Sequence, residues 1–138
     1  MTYGLPRWDR PREDGYVYCA RPELGDRPVK IGWSTNPWSA AREARRWTWF
    51  EIEIVATVKV SNRSRLWGTE WCALERTLHD ALESDRLVRE WFEPSPKVLE
   101  LIDLAHGGAS AADVFRWAME NMTPEQRSFS ERFGRRAA

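Results

Sequence analysis

From Glu51 to Val60 apolar and polar side chains alternate, the period of a strand with one face in a core and the other toward water. Ile52, Ile54, Ala56, Val58 and Val60 form one face, Glu51, Glu53, Thr57 and Lys59 the other, and Val55 interrupts the alternation. Two shorter apolar runs come first, Tyr16 to Ala20 and Val29 to Trp33. Pro22, Gly25, Asp26 and Pro28 lie between them, which is turn chemistry. The two runs are expected to pair as an antiparallel hairpin. A strand this amphipathic is not stable alone, so the chain must supply neighbouring strands and a cover for the apolar face.

The cover comes from helices. Asn36-Pro37 is an N-cap followed by proline at the first helical position, and opens a helix to about Trp47. Thr69 is expected to cap a helix to about Ser84, with Trp71, Leu74, Leu78 and Leu82 on its buried stripe. Glu90 to Glu93 reads as a short extended piece in which Trp91 and Phe92 are core residues. Ser95-Pro96 opens a helix from Lys97 to Ala105, closed by His106-Gly107-Gly108. Ser110 with Asp113 forms a capping-box pattern for a helix to about Met122, and Thr123-Pro124 with Gln126 begins a last amphipathic helix. Strands early and helices late define an α+β class, an α/β sandwich with a small antiparallel sheet flanked by helices. Residues 1–14, polar and rich in proline and arginine, read as an arm.

Composition mainly excludes. A chain of 138 residues has room for one domain. Lys+Arg and Asp+Glu balance at 21 each, which counts against a tight non-specific nucleic-acid binder and leaves only a local basic patch for that role. Cys19 and Cys72 lack CxxC spacing, so zinc-finger and disulfide frameworks are excluded. Both are expected to be buried small hydrophobes in a protein of the reducing cytoplasm. No run of about 20 apolar residues exists, so no membrane span and no membrane partner is expected. The N-terminus lacks the apolar segment of a secretory signal. Nine tryptophans suit core packing and interface contacts equally.

Tyr16 and Tyr18 share one face of the first strand, and the hairpin can bring Lys30 across from them. A neighbouring cation lowers a phenol's pKa, which would make Tyr18 a base toward water. An ordinary amphipathic hairpin face would carry the same residues. Cys72, Glu75 and His79 fall on one helix face. Glu75 borders the buried stripe, where a carboxylate can hold a Mg²⁺ that keeps several waters and stabilises the leaving oxygen of a phosphodiester. A solvated Glu75 in contact with His79 is the plain alternative. Arg42, Arg45 and Arg46 precede Trp47 and Trp49, a cluster suited to phosphates and bases. A helix C-terminus that favours cations accounts for Arg45 and Arg46 as well.

Five short elements stand in a telling order: Tyr16-Val17-Tyr18, Lys30-Ile31-Gly32, Ser34-Thr35-Asn36-Pro37, Glu75-Arg76-Thr77-Leu78-His79 and Glu90-Trp91-Phe92. Together they resemble the GIY-YIG nuclease superfamily. The branch is the one named after a phage open reading frame and shared with fungal meiotically up-regulated proteins, whose second motif is Lys-Ile-Gly. The resemblance covers about residues 15 to 104, with residues 105–138 as a C-terminal helical extension packed on or beside that domain. It implies a central three-stranded antiparallel sheet and a metal-dependent endonuclease acting on nucleic acid, DNA first. It implies one divalent ion, Mg²⁺ or Mn²⁺, on Glu75. It implies Tyr18 as the base or water-positioning group, Lys30 in the place of a second tyrosine, and a phosphate-clamping arginine on the first helix. Ala40 occupies the usual arginine position. Arg42 is the substitute, two residues later and so about 200° around a helix. His79 is expected to orient Glu75, while Tyr16, Arg45 and Arg46 would contact the nucleic acid. A homodimer or a protein partner would offset the weak hold on DNA of a chain with balanced charge. The alternative is a catalytically lapsed module of the same fold that binds nucleic acid or a protein.

Overall fold

The computed structural model describes residues 14–25, 27–44, 46, 48, 50–61 and 71–128, apart from the side chains of 71–73. In chain order the elements are β1 (Gly15–Pro22), β2 (Val29–Ser34), α1 (Pro37–Ala44), β3 (Ile52–Val60), α2 (Trp71–Ala81), a 3₁₀ turn (Glu83–Asp85), β4 (Arg86–Val88), β5 (Trp91–Phe92), α3 (Pro96–His106) and α4 (Ala111–Glu120). The expected cap at Thr69, the arm, Arg45, Trp47 and Trp49, and the side chains of Trp71 and Cys72, lie outside the described residues.

The class is α+β, as the order of patterns implies. The sheet, however, has five strands rather than three, in the order β3-β1-β2-β5-β4. β1 and β2 form the expected antiparallel hairpin, with Tyr18 opposite Gly32 and Ala20 opposite Lys30. β3 pairs antiparallel on the other side of β1. The two added strands are the short β4–β5 hairpin, which joins β2 through Val29–Phe92 and Lys30–Trp91. Strands of two and three residues carry no readable period, and pairing alone defines them.

The interruption at Val55 is a β-bulge. Cys19 pairs with Ala56 and Ala20 with Ile54, so Val55 is the extra residue. Its carbonyl accepts a hydrogen bond from His106 at the end of α3. The bulge splits the single face expected of this strand: Ala56, Val58 and Val60 enter the core with Val55 packed partly against it, whereas Ile54 and Ile52, opposite Ala20 and Pro22, turn to the Tyr18 face of the sheet.

Helix starts follow the local chemistry. The Asn36 side chain accepts from the Ser39 N–H at 3.2 Å, Ser95 from the Val98 N–H at 3.2 Å, and Ser110 and Asp113 close a reciprocal capping box. Thr123 and Gln126 make the same exchange at the start of residues 124–128.

One face of the hairpin carries Val17, Cys19, Val29 and Ile31 into a core with Leu74, Leu78, Leu82, Phe92, Val98, Leu101, Val114 and Trp117. Each fully buried aliphatic side chain there contributes about 1.5–3 kcal/mol relative to exposure. α2, α3 and α4 all contribute to this core. Trp91 departs from expectation. It is opposite Lys30, on the far side of the sheet from Phe92, and stands half-buried edge-on to Phe50. No described helix is long and apolar enough to cross a membrane.

Candidate functional site

The period of two in β1 separates packing from chemistry. Val17 and Cys19 enter the core, so Tyr16 and Tyr18 emerge on the opposite face, together with Lys30 and Gly32 of β2. Tyr18 is only 3% exposed. Its ring lies flat across the hairpin over Gly32, where an added Cβ would meet the phenol oxygen at 2.8 Å. Gly32 is therefore the residue that lets the Tyr18 hydroxyl occupy its place. The Lys30 ammonium stands 5.9 Å from the Tyr18 ring centroid and 3.8 Å from a carboxylate oxygen of Glu90.

Glu90 reaches this face from the tip of the β4–β5 hairpin. Val88 pairs with Trp91, so Arg89 and Glu90 form a two-residue turn, with Arg89 at φ 52°. A left-handed conformation in a residue with a side chain costs about 1 kcal/mol or more, and such strain collects at functional positions. The Glu90 carbonyl accepts from the Ile31 N–H at 2.9 Å, which ties the turn to β2.

α2 brings Glu75 and His79 to the same edge. Ile31 directs both its N–H and its carbonyl away from β1. The N–H meets Glu90, while the carbonyl, past the end of β5, accepts from Nε2–H of His79 at 2.8 Å. Burial holds the His79 pKa below its ordinary value, so the ring is neutral at pH 7. Its 3.9 Å approach to Glu75 is therefore a positioning contact, not an ion pair. Glu75, one turn earlier, lies within electrostatic reach of Glu90, Lys30 and Tyr18.

These neighbours set the charges. Glu75 is pushed up to about 7, first by burial, then by the Glu90 carboxylate and its hydrogen bond, with Lys30 pulling weakly the other way. Tyr18 moves opposite to the sequence expectation. Burial, and then the Glu90 and Glu75 charges, raise its pKa far above the ordinary phenol value. The hydroxyl keeps its proton at neutral pH and acts as a hydrogen-bonding group. Cys19 is buried as expected, and burial pushes its thiol up to about 12, so it is inert.

The structure thus gathers Tyr18, Lys30, Glu75 and His79 and adds Glu90, to which the sequence pattern assigned no role. Its signal was present in Glu90-Trp91-Phe92, but its destination depends on a turn between two strands too short to read. Tyr16 is half-buried and two residues along β1. Arg46 is exposed beyond α1, and Arg45 lies outside the described residues. Arg42 is placed elsewhere. It lines an open groove of about 450 Å³ between α1 and β3, with Trp38, Ala41, Glu51, Ile52, Glu53 and Ile54. β3 is the outer strand on the side of the sheet away from β5 and Glu90.

Among the described residues no group of three or more His, Cys, Asp or Glu side chains forms a metal cage. The Glu75–Glu90 pair has a different fit. Mg²⁺ takes one or two carboxylates and fills the rest of its octahedron with water and phosphate oxygens. The Glu90 carboxylate helps to raise the Glu75 pKa, and a cation beside the two would relieve that repulsion.

A family model described as T5orf172 domain matches residues 15–104. No curated protein and no solved structure gives a significant match to the chain.

Proposed function

The chain belongs to the T5orf172 domain family, a phage-associated domain often linked to GIY-YIG and HNH-like nucleases, and from that premise we propose that its Tyr18–Lys30–Glu75–Glu90 group hydrolyses phosphodiester bonds in nucleic acid, DNA first. The observation that supports it most is the Glu75–Glu90 carboxyl pair held beside a lysine and a buried phenol on one sheet face. Glu75, supported by Glu90, would hold a single Mg²⁺ or Mn²⁺. When bound, the ion supplies positive charge at the leaving oxygen and offsets the carboxylates that raise the Tyr18 pKa. Lys30, whose ammonium stands 5.9 Å from the Tyr18 ring centroid, would neutralise the scissile phosphate. The Tyr18 hydroxyl, fixed over Gly32, orients the attacking water. His79 holds Glu75 in place by its bond to the Ile31 carbonyl. The chemistry is that of the GIY-YIG nucleases, with Lys30 where a second tyrosine stands.

The test is cleavage of supercoiled plasmid, single-stranded DNA, branched DNA and RNA with Mg²⁺, Mn²⁺ or EDTA, with Glu75→Gln beside the parent. Metal-dependent cutting lost in the variant is expected. Intact substrates in every lane would end the nuclease assignment.

The placement of Arg42 favours a second function, a module that binds nucleic acid or a protein partner without cutting it. Arg42, the described cation of α1, lines the α1–β3 groove. Binding that falls with salt, without cleavage, is the outcome expected of that module.

A further inference from the structure

We infer that Arg89, at the tip of the β4–β5 turn, clamps a backbone phosphate of the bound strand where it enters the Tyr18–Lys30–Glu75–Glu90 group. The inference deepens the proposed function and rests on nucleic acid as the substrate. The turn is placed by its neighbours. Trp91 pairs with Lys30 of β2, and the Glu90 carbonyl accepts from the Ile31 N–H at 2.9 Å. The next residue of β2 is Gly32, over which the Tyr18 hydroxyl lies. Arg89 precedes Glu90 in a turn of two residues closed by Val88 and Trp91. Paired residues share a sheet face, so the chain enters and leaves this turn on the face that carries Lys30 and Tyr18. Arg89 is then within two strand spacings of β2, about 10 Å.

Conformation and charge both set this residue apart. At φ 52°, Arg89 is the one non-glycine residue with positive φ among the described residues. Two-residue hairpin turns take glycine, asparagine or aspartate at positive φ, and an arginine there is strained. No packing requirement explains it: the side chain is exposed and makes no hydrogen bond or ion pair with any described residue. The other described cations of β2, α2 and β4 are engaged. Lys30 faces Glu90 at 3.8 Å, Arg86 pairs with Glu83 at 3.0 Å, and Arg76 acts on Asp80 one turn along α2. Arg42 lines the α1–β3 groove instead.

The charge balance of the site says what this arginine meets. Glu75 and Glu90 bring two carboxyls to the one ammonium of Lys30, which already faces Glu90. A phosphate entering the group adds negative charge. The guanidinium beside Glu90 supplies a further cation, and its planar fork fits two oxygens of one phosphate. The strain gives the assignment a distinctive consequence. Glycine at position 89 relaxes the turn and removes the clamp, so stability and function part company. An arginine kept for the fold would lose both together.

The experiment compares the full chain with Arg89→Gln, Arg89→Lys and Arg89→Gly. Fluorescence anisotropy follows binding of labelled oligothymidine in EDTA from about 50 to about 200 mM salt, and plasmid cleavage is measured with Mg²⁺. Arg89→Gln is expected to lower the slope of log affinity against log salt by about 0.7, one phosphate contact on a single strand, and to slow cleavage about 100-fold. Arg89→Lys should keep the slope and recover only part of the cleavage, because an ammonium lacks the fork. Arg89→Gly should bind and cleave like Arg89→Gln while its urea midpoint holds or rises. If the parent cleaves and Arg89→Gln matches it in slope and rate, the clamp is refuted and the nuclease assignment stands. If the parent binds without cleaving, the slope alone decides, and an unchanged slope refutes the clamp. An equal loss of slope in Arg116→Gln, an exposed arginine of α4, would reduce the effect to net charge and overturn the proposal. If the parent neither binds nor cleaves, both readings fall together.

Discussion

The two faces of the β1–β2 hairpin are built from alternate residues of the same strands, yet they solve opposite problems. On the covered face Val17, Cys19, Val29 and Ile31 pack into the apolar core. On the other, Tyr18 is equally buried, but among Lys30, Glu75 and Glu90. Each face also has one glycine that makes room for one aromatic. On the covered face a Cβ on Gly15 would meet the Trp33 indole at 2.8 Å, and on the polar face a Cβ on Gly32 would meet the Tyr18 hydroxyl at 2.8 Å. The same steric device serves packing in one case and the placement of a hydroxyl in the other. The first face is there to be stable. The second keeps like charges together, which costs stability and makes sense only if something else binds there.

The contrast is broken most severely by one truncation on each face. Leu78→Ala, at a fully buried position of α2, should lower unfolding free energy by about 3 kcal/mol, measured by chemical denaturation, with cleavage retained in the fraction that folds. Lys30→Gln should do the reverse, reducing the cleavage rate by about 10²-fold or more while the denaturation midpoint moves little. Similar midpoint losses in both variants would mean that the polar face is simply more core.

The glycine pair sharpens the contrast with a smaller change. Gly15→Ala forces Trp33 aside and should cost about 1–3 kcal/mol of stability without a specific effect on cleavage per folded molecule. Gly32→Ala moves the Tyr18 hydroxyl and should reduce cleavage about 100-fold, since displacements near 1 Å have that effect. Full activity in Gly32→Ala would remove Tyr18 from the site.

What the sequence reveals follows the reach of each signal. Caps at Asn36, Ser95 and Ser110 involve partners three residues away, and all were legible. Alternation marked β3 as a strand and flagged the fault at Val55, but the single apolar face it implied was wrong, because only the pairing with β1 shows a bulge that turns Ile52 and Ile54 away from Ala56, Val58 and Val60. Tyr18, Lys30 and Glu75 were readable as a set because motif order carried them. The direction of the Tyr18 pKa was not. Proximity to Lys30 follows from one hairpin, but the direction is set by burial and by carboxylates delivered by α2 and the β4–β5 turn. Glu90 was hidden for the same reason, and so was the groove around Arg42, which needs α1 to be seated on β3.

The mildest test concerns protons. The Glu75 carboxyl titrates near its ordinary 4.5 in the unfolded chain and at about 7 in the fold. Between those values the folded chain holds a proton that the unfolded chain has released. Stability must then fall as pH rises through that window and level off above it, the reverse of a salt-bridged carboxylate. The drop should be on the order of 1–2 kcal/mol, since Glu75 retains some solvent screening. Glu75→Gln, neutral throughout, should lack it. Urea midpoints of both proteins across that range measure the difference, and parallel curves would mean that the fold does not raise the Glu75 pKa. Mg²⁺ distinguishes further. Bound to the native carboxyl pair, it should raise the parent's midpoint at about pH 8, do little at about pH 5 where protons compete, and leave Glu75→Gln unchanged. An equal rise in both proteins would place the ion elsewhere, and the repulsion on the polar face would then be a cost with no ligand to explain it.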